Sequence, residues 1–343
     1  MFKDIKQVMK DSVLYGIGNV AVKLVGFILI PLYTDAEYFS TADYGLMGLL
    51  EVTSQILIAV MGLSLYSGLI RWYWDAEYRD KQKTIFFTTL LFTILTSLCI
   101  GSVLWLNVGE LSALLVQQEG YSLGGELPYI LQLLILTSML GAVVEVPQNL
   151  LRLQRKPIYY SLTNIVRLFV TLVLTIYFTI SLHRGVSGVY EAQLVGIVIQ
   201  LLMVLPLVIK NSSCRVDRRC TIQLLVYSYP LVFPAIVGSL LTVFDRYIIN
   251  HFQGLDDVGF YSLGYKVGNT LKVFIVTSVQ LALTPLLMKK MNDPDNKQFY
   301  SKVLTYFSFG LMFCALGLNL FSREGIVWVT TNPDYIEALY VIP

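Results

Sequence analysis

Charge is scarce in this chain. Asp, Glu, Lys and Arg make up 14% of its 343 residues against 55% hydrophobic ones, and the mean hydropathy is +0.65, far to the apolar side of an ordinary globular protein. A water-soluble domain is thereby excluded, and a net charge of only +2 gives no basis for binding nucleic acid. Histidine is rarer still. His183 and His251 both fall in connections between apolar runs, and neither has a ligating companion at useful spacing, so no metal site is expected. Cysteine is confined to Cys99 and Cys314 in apolar runs and Cys214 and Cys220 in a basic loop, without a zinc pattern, and all four read as free thiols. Large polar loops are missing as well.

What the chain has is long apolar segments. Nine are sufficient to cross a hydrocarbon core of ~30 Å at ~1.5 Å per residue: about 12 to 34, 44 to 70, 84 to 107, 128 to 151, 157 to 182, 187 to 209, 223 to 250, 259 to 288 and 299 to 321. In lipid they must be helices, because each backbone polar group has to be satisfied internally. The start, MFKDIKQVMKDS, mimics a signal peptide, but Asp4 and Asp11 interrupt its basic run and no small-residue cleavage site follows, so it reads as retained before the first span. Eighteen Lys and Arg fall in one set of connections and only Arg184 and Arg323 in the alternate set. The positive-inside rule then puts the N-terminus in the cytoplasm of a multi-pass protein.

Two stretches echo one another at an offset of 214 residues. Laying Gly45 on Gly259 superimposes Asp43 on Asp257, Leu49 on Leu263 and Tyr33 on Tyr247. Each copy has an apolar segment, an acidic turn ending in Asp-x-Gly, and a second apolar segment. The expected fold is therefore all-α, a polytopic bundle of parallel six-helix repeats. Residues 1–210 form the first lobe, the basic linker is 211–222, and 223–343 form a second lobe of three to four helices. That lobe reads as incomplete, since Ala338 to Pro343 look like the opening of a further helix.

Five cations remain inside the spans: Lys23, Arg167, Arg246, Lys266 and Lys272. Lys23 is roughly 16 Å deep, too far for comfortable snorkelling. Helical spacing puts Asn19 on its face, Gln55 with Glu51 on the second span, and Asn269 and Gln280 with Lys266 on the eighth, as polar stripes. Internal pairing offers one account: Glu145 with Arg167, Asp245 with Arg246, Glu51 with Lys23. A second account gives Lys23, Lys266 and Lys272 a cationic surplus in a hydrated cavity suited to an anionic head group. Prolines within spans, Pro147, Pro230 and Pro234 among them, would allow bending or merely mark irregular packing.

The segments DSVLYGIGNVAVKLVGFILIPLYT, ADYGLMGLL, SGLIRWYWDAEYRD, RLQRKPIYYSLTNIVRLFV and DRYIINHFQGLDDVGFYSLGYKVG resemble the bacterial oligosaccharide flippases of the Wzx type. These belong to a superfamily with the lipid II flippases and MATE drug exporters. The resemblance implies a two-lobe MATE-like bundle whose cations hold the diphosphate of an undecaprenyl-linked oligosaccharide during alternating access across the bacterial inner membrane. On that basis Lys23, Lys266 and Lys272 would touch the diphosphate, with Arg71 at the inner mouth and Arg246 near the outer one. Glu51, Glu145, Asp245 and Arg167 would be counter-charges or sites for a coupling ion, H+ or Na+. Polysaccharide polymerases and glycosyltransferases are the expected protein partners, and no cofactor or catalytic residue is expected. Two alternatives stand beside this: cation-coupled drug export, which wants a more acidic cavity, and an integral-membrane glycosyltransferase, polymerase or O-acyltransferase. The enzyme alternatives would need a buried His or a large outer loop, and the longest outer connection is only 108 to 127.

Overall fold

The computed structural model describes residues 27–115, 125–213, 215–276, 279 and 296–342. Among these the chain is helical and contains no strand. In chain order the helices are α1 (Ile30–Tyr33), α2 (Thr41–Gly62), α3 (Leu65–Trp72), α4 (Gln82–Leu106), α5 (Val108–Leu115), α6 (Leu127–Leu153), α7 (Pro157–Ile176), α8 (Gly185–Asn211), α9 (Arg218–Phe252), α10 (Leu255–Leu271), α11 (Asn296–Leu320) and α12 (Ser322–Val329). Among the described residues, seven helical segments are long and apolar enough to cross a membrane. The first expected span lies mostly outside the described residues, and the eighth is described as α10 followed by a π turn from Lys272 to Val276.

The second span departs from expectation. Instead of one helix over 44 to 70, α2 stops at Gly62 and α3 starts at Leu65, with Leu63 and Ser64 between them in left-handed conformations at φ 44° and 52°. Such residues cost about 1–2 kcal/mol each. Tertiary contact holds the break, since the Ser64 hydroxyl donates to the Leu231 carbonyl of α9 at 3.3 Å. An apolar run conceals it, because Leu63 is as hydrophobic as its neighbours. The connection expected over 108 to 127 likewise opens with a helix of about two turns, α5. Near the described end, a 3-10 helix spans Pro333–Val341 where an opening helix was expected at Ala338.

Ser40 caps α2 by accepting from the Asp43 amide at 3.1 Å, while Asp43 accepts from the Ser40 amide at 2.9 Å. This reciprocal cap satisfies two amides that the helix cannot pair itself. In α10 the equivalent acidic residues, Asp256 and Asp257, occupy the first turn after Gly254, whose φ of 104° suits a residue without a side chain. The Asp-x-Gly signals thus mark helix starts.

These two helices pack on each other through the echoed glycines. A Cβ on Gly45 would sit 1.8 Å from the Leu255 carbonyl oxygen, and one on Gly259 would sit 2.6 Å from the Thr41 carbonyl oxygen. Thr41 and Leu255 are themselves 214 residues apart, so the contacts are reciprocal in the register of the echo. Gly48 faces its own counterpart, Ser262. Small residues permit this backbone approach in a membrane, where dispersion rather than water drives helix association.

Two apolar clusters flank the polar middle. One surrounds Ile30, Tyr44, Leu49, Leu134, Leu263 and Tyr335, and the other Leu69, Phe86, Leu150, Tyr160, Leu207 and Leu224. Outward faces carry exposed Leu106, Phe169, Val226, Leu241 and Met312, as lipid contact requires and water would penalise. Cys220 is buried and Cys99 exposed, and neither is in a disulfide among the described residues.

Candidate functional site

Three cavities with shared walls occupy the polar middle. The first, about 200 Å³, lies between α2, α8 and α10 and is lined by Tyr33, Tyr44, Glu51, Gln55, Tyr190 and Lys266 among others. Gln55 is shared with a second of about 480 Å³ between α2, α6 and α9. Ser54 and Gln193 connect the first to a third of about 260 Å³ walled by α6, α7 and α8, and Glu145 lines both the second and the third. Polar groups therefore run through the bundle from Lys266 to Arg167.

Lys266 reaches this space because α10 packs along α2. Its ammonium Nζ lies 3.7 Å from Glu51 Oε2 and 5.4 Å over the centre of the Tyr44 ring. The side chains are 29% and 57% exposed respectively, so the pair is wet rather than sealed in a dry core. Around it Thr53 and Tyr247 share a hydrogen bond of 2.7 Å, and Ser54 and Ser138 one of 2.9 Å. An ammonium with a half-exposed carboxylate and an aromatic face can hold an anionic group and release it. Lysine presents a compact charge for this, without the fixed fork of arginine.

Other expected residues lie apart from Lys266. Arg246 is buried between α9 and α10, its guanidinium 4.9 Å over the Tyr265 ring and its Nε donating to Ser262 Oγ at 3.2 Å. Through Ser262, which lines the first cavity, it braces the Lys266 helix. Asp245 accepts from the Tyr261 hydroxyl and, at 2.9 Å, from the Arg246 amide, a local network rather than an ion pair of the two side chains. Arg71 is exposed with its guanidinium 5.1 Å over Trp72. Lys272 is exposed at the start of the π turn, and Asn269 is half-buried one helical turn after Lys266. Lys23, Asn19 and Gln280 lie outside the described residues, so the expected pairing of Lys23 with Glu51 does too.

Pairing of Glu145 with Arg167 is corrected. The Arg167 guanidinium donates to Gln200 Oε1 at 3.0 Å, Gln200 donates on to Asn164 Oδ1 at 3.0 Å, and no ion pair joins Arg167 to Glu145 among the described residues. The reason is the rotation of α7, which turns Arg167 toward α8, where Gln200, 1% exposed, meets it. Sequence reasoning missed Asn164, Gln193, Gln200 and Gln148. A signal existed, since Asn164 and Arg167 are three apart and Gln193 and Gln200 seven apart, each pair on one helical face within an apolar span.

A family model described as polysaccharide biosynthesis protein matches residues 8–291. The chain belongs to that family. No curated protein matches. Solved structures share the fold at low identity. A MATE in complex with MaL6 has a TM-score of 0.70 at 15% identity over 98% of this chain and 77% of its own. A MOP superfamily transporter from Pyrococcus furiosus, described by a reversed polarity of its binding pocket, gives 0.68 at 15% over 98% and 77%. An inward-facing multidrug resistance MATE transporter of the MOP superfamily gives 0.67 at 15% over 96% and 75%. This polysaccharide biosynthesis family member is thus a multi-pass membrane protein with the MATE-like fold.

Proposed function

We propose that the protein is a transporter, not an enzyme, and that it moves an undecaprenyl-diphosphate-linked oligosaccharide from the inner to the outer leaflet of the bacterial inner membrane for surface polysaccharide synthesis. The observation that carries this is Lys266 standing in a polar cavity at the junction of α2 and α10 with Glu51 as its only ion-pair partner among the described residues. A pair this exposed contributes at most about 1 kcal/mol. Arriving diphosphate can therefore displace Glu51 from the ammonium at little cost, and Glu51 neutralises it again when the cargo leaves. The lobes 1–210 and 223–343, joined by 211–222, would rock about this region. Contacts between the halves include those through Gly45 and Gly259 and through Gly68 against Leu224 and Ser228, and alternating access requires such contacts to open in turn. Positive-inside counting gives a cytoplasmic N-terminus. Coupling to H+ or Na+ and partnership with polysaccharide polymerases and glycosyltransferases belong to the same proposal.

One observation favours a second reading, export of a cationic solute: Glu145 is the charged residue in the wall of the 480 Å³ cavity, among the described residues. Complementation of cells lacking the chromosomal copy separates the two. At equal expression, Lys266→Gln should abolish surface polysaccharide and cause lipid-linked precursor to accumulate, with partial rescue by Lys266→Arg. Normal polysaccharide with Lys266→Gln, combined with loss of drug resistance in Glu145→Gln, would overturn the flippase reading in favour of the exporter.

A further inference from the structure

The 260 Å³ cavity between α6, α7 and α8 contains polar groups that the fold leaves without partners. The Glu145 carbonyl accepts from the Asn149 side-chain amide at 3.0 Å, but its carboxylate makes no hydrogen bond or ion pair among the described residues. One turn later on the same helix, Gln148 is 8% exposed; its amide donates to Thr163 Oγ1 at 3.0 Å, but its Oε1 has no donor among the described residues. The Thr137 hydroxyl, also buried, has no partner among the described residues. Opposite them Arg167 uses a guanidinium N–H on Gln200 and has others to offer. Buried polar atoms without partners cost about 1–3 kcal/mol each, a cost that Gln148 Oε1 and Thr137 Oγ1 carry among the described residues and that an occupant with matching groups would remove.

Charge narrows the class of occupant. A cation attracted to Glu145 would face the Arg167 guanidinium, with Arg152 at the rim, and an anion attracted to Arg167 would face the Glu145 carboxylate. A neutral ligand that donates on one edge and accepts on the other satisfies both walls. Sugar hydroxyls do both from adjacent carbons. We propose that this pocket binds a sugar ring of the cargo, with Glu145 and Gln148 accepting from hydroxyls and Arg167 donating to hydroxyl or ring oxygen. Ser54 and Gln193 line both this pocket and that of Lys266, so a glycan lying here can continue toward a diphosphate held there. The inference rests on the flippase reading and deepens it: lipid-phosphate and glycan have separate subsites.

The test uses the purified full chain in lipid nanodiscs. Its ligands are lipid-linked oligosaccharide extracted from the source cells and undecaprenyl diphosphate without sugar. Wild type should bind the glycan-bearing lipid more tightly. Glu145→Leu and Gln148→Leu should each weaken that ligand about tenfold or more while leaving the sugar-free lipid unchanged, and Lys266→Gln should weaken both. Removal of an unpartnered carboxylate should not lower the Tm, which separates the role from a structural one. Equal binding of the two lipids by wild type, as when ordered water alone fills the pocket, would overturn the glycan subsite, as would equal weakening of both by the pocket variants. Failure of wild type to bind either lipid would overturn the flippase reading itself, and this inference with it.

Discussion

Gly45→Ala tests the α2–α10 contact on which the position of Lys266 depends. The added methyl would lie 1.8 Å from the Leu255 carbonyl oxygen and 3.0 Å from the Gly259 amide nitrogen, whereas ordinary contact begins near 3.4 Å. The helices must part by about 1.6 Å there, and neither obstructing atom can rotate away because both are backbone. Overpacking of a rigid interface costs about 1–3 kcal/mol, and this site belongs at the upper end. Gly259→Ala needs only about 0.8 Å of relief, from 2.6 Å, and should cost less. Gly238→Ala and Gly310→Ala meet nothing within 4 Å; in helices they should be neutral or stabilise by up to about 1 kcal/mol. Thermal unfolding of the four purified variants in one detergent should therefore rank Gly45→Ala lowest, Gly259→Ala next and the two controls at or above wild type. A Gly45→Ala protein as stable as Gly238→Ala would refute the close approach and the packing derived from it.

Arg246→Lys should lower the Tm, since an ammonium loses the planar stacking on Tyr265 and the aligned Nε donor to Ser262, yet leave ligand affinity in the Lys266 cavity within a few-fold; unchanged stability would remove its bracing role. Arg155, at φ 52° just past α6 with the Lys156 amide bonded to Leu151 O at 2.9 Å, occupies the position that glycine favours, and Arg155→Gly should raise stability by about 0.5–1 kcal/mol on denaturant titration. Asp217 accepts from Lys81 at 2.6 Å and from the Arg219 amide at 2.9 Å; the Lys81 hydrogen bond first, then the amide, holds its carboxyl below the ordinary carboxylate range. Its contribution is complete above the unfolded Asp value of about 3.9 and disappears as pH falls through the depressed folded value. The Tm gap between wild type and Asp217→Asn should hence stay constant from pH 6 to 8, shrink in 1 M salt and close in strong acid; a gap that varies across neutral pH would contradict this assignment.

Element identity was legible wherever a physical constraint leaves a residue-level mark. Apolar runs must be helices in lipid, and the observed α4, α6, α7 and α8 fall within a few residues of their expected spans. The Gly45–Gly259 echo was legible because close backbone approach tolerates no side chain at either position. Lys266 was legible as a charge where lipid would penalise one. Relations between helices were not. Whether Arg167 meets Glu145 or Gln200 depends on how α7 rotates against α8, and periodicity within one helix says nothing of its neighbour's rotation. Nor was the break at Leu63 and Ser64 visible, because it is held by a hydroxyl contact to α9 across 167 residues of sequence. Within the site, the amides Gln148 and Gln200 escaped attention because neutral side chains in apolar runs stand out less than charges.

The central claim is tested most directly by leaflet exchange. Full-chain protein reconstituted in proteoliposomes with fluorescent undecaprenyl-diphosphate-linked oligosaccharide on the inner face should deliver that lipid to an impermeant quencher or lectin outside. Lys266→Gln, at matched incorporation, should reduce the rate to that of empty vesicles, and Lys266→Arg should restore part of it. Equal rates for wild type and Lys266→Gln, or a wild-type rate no faster than protein-free vesicles, would contradict the account.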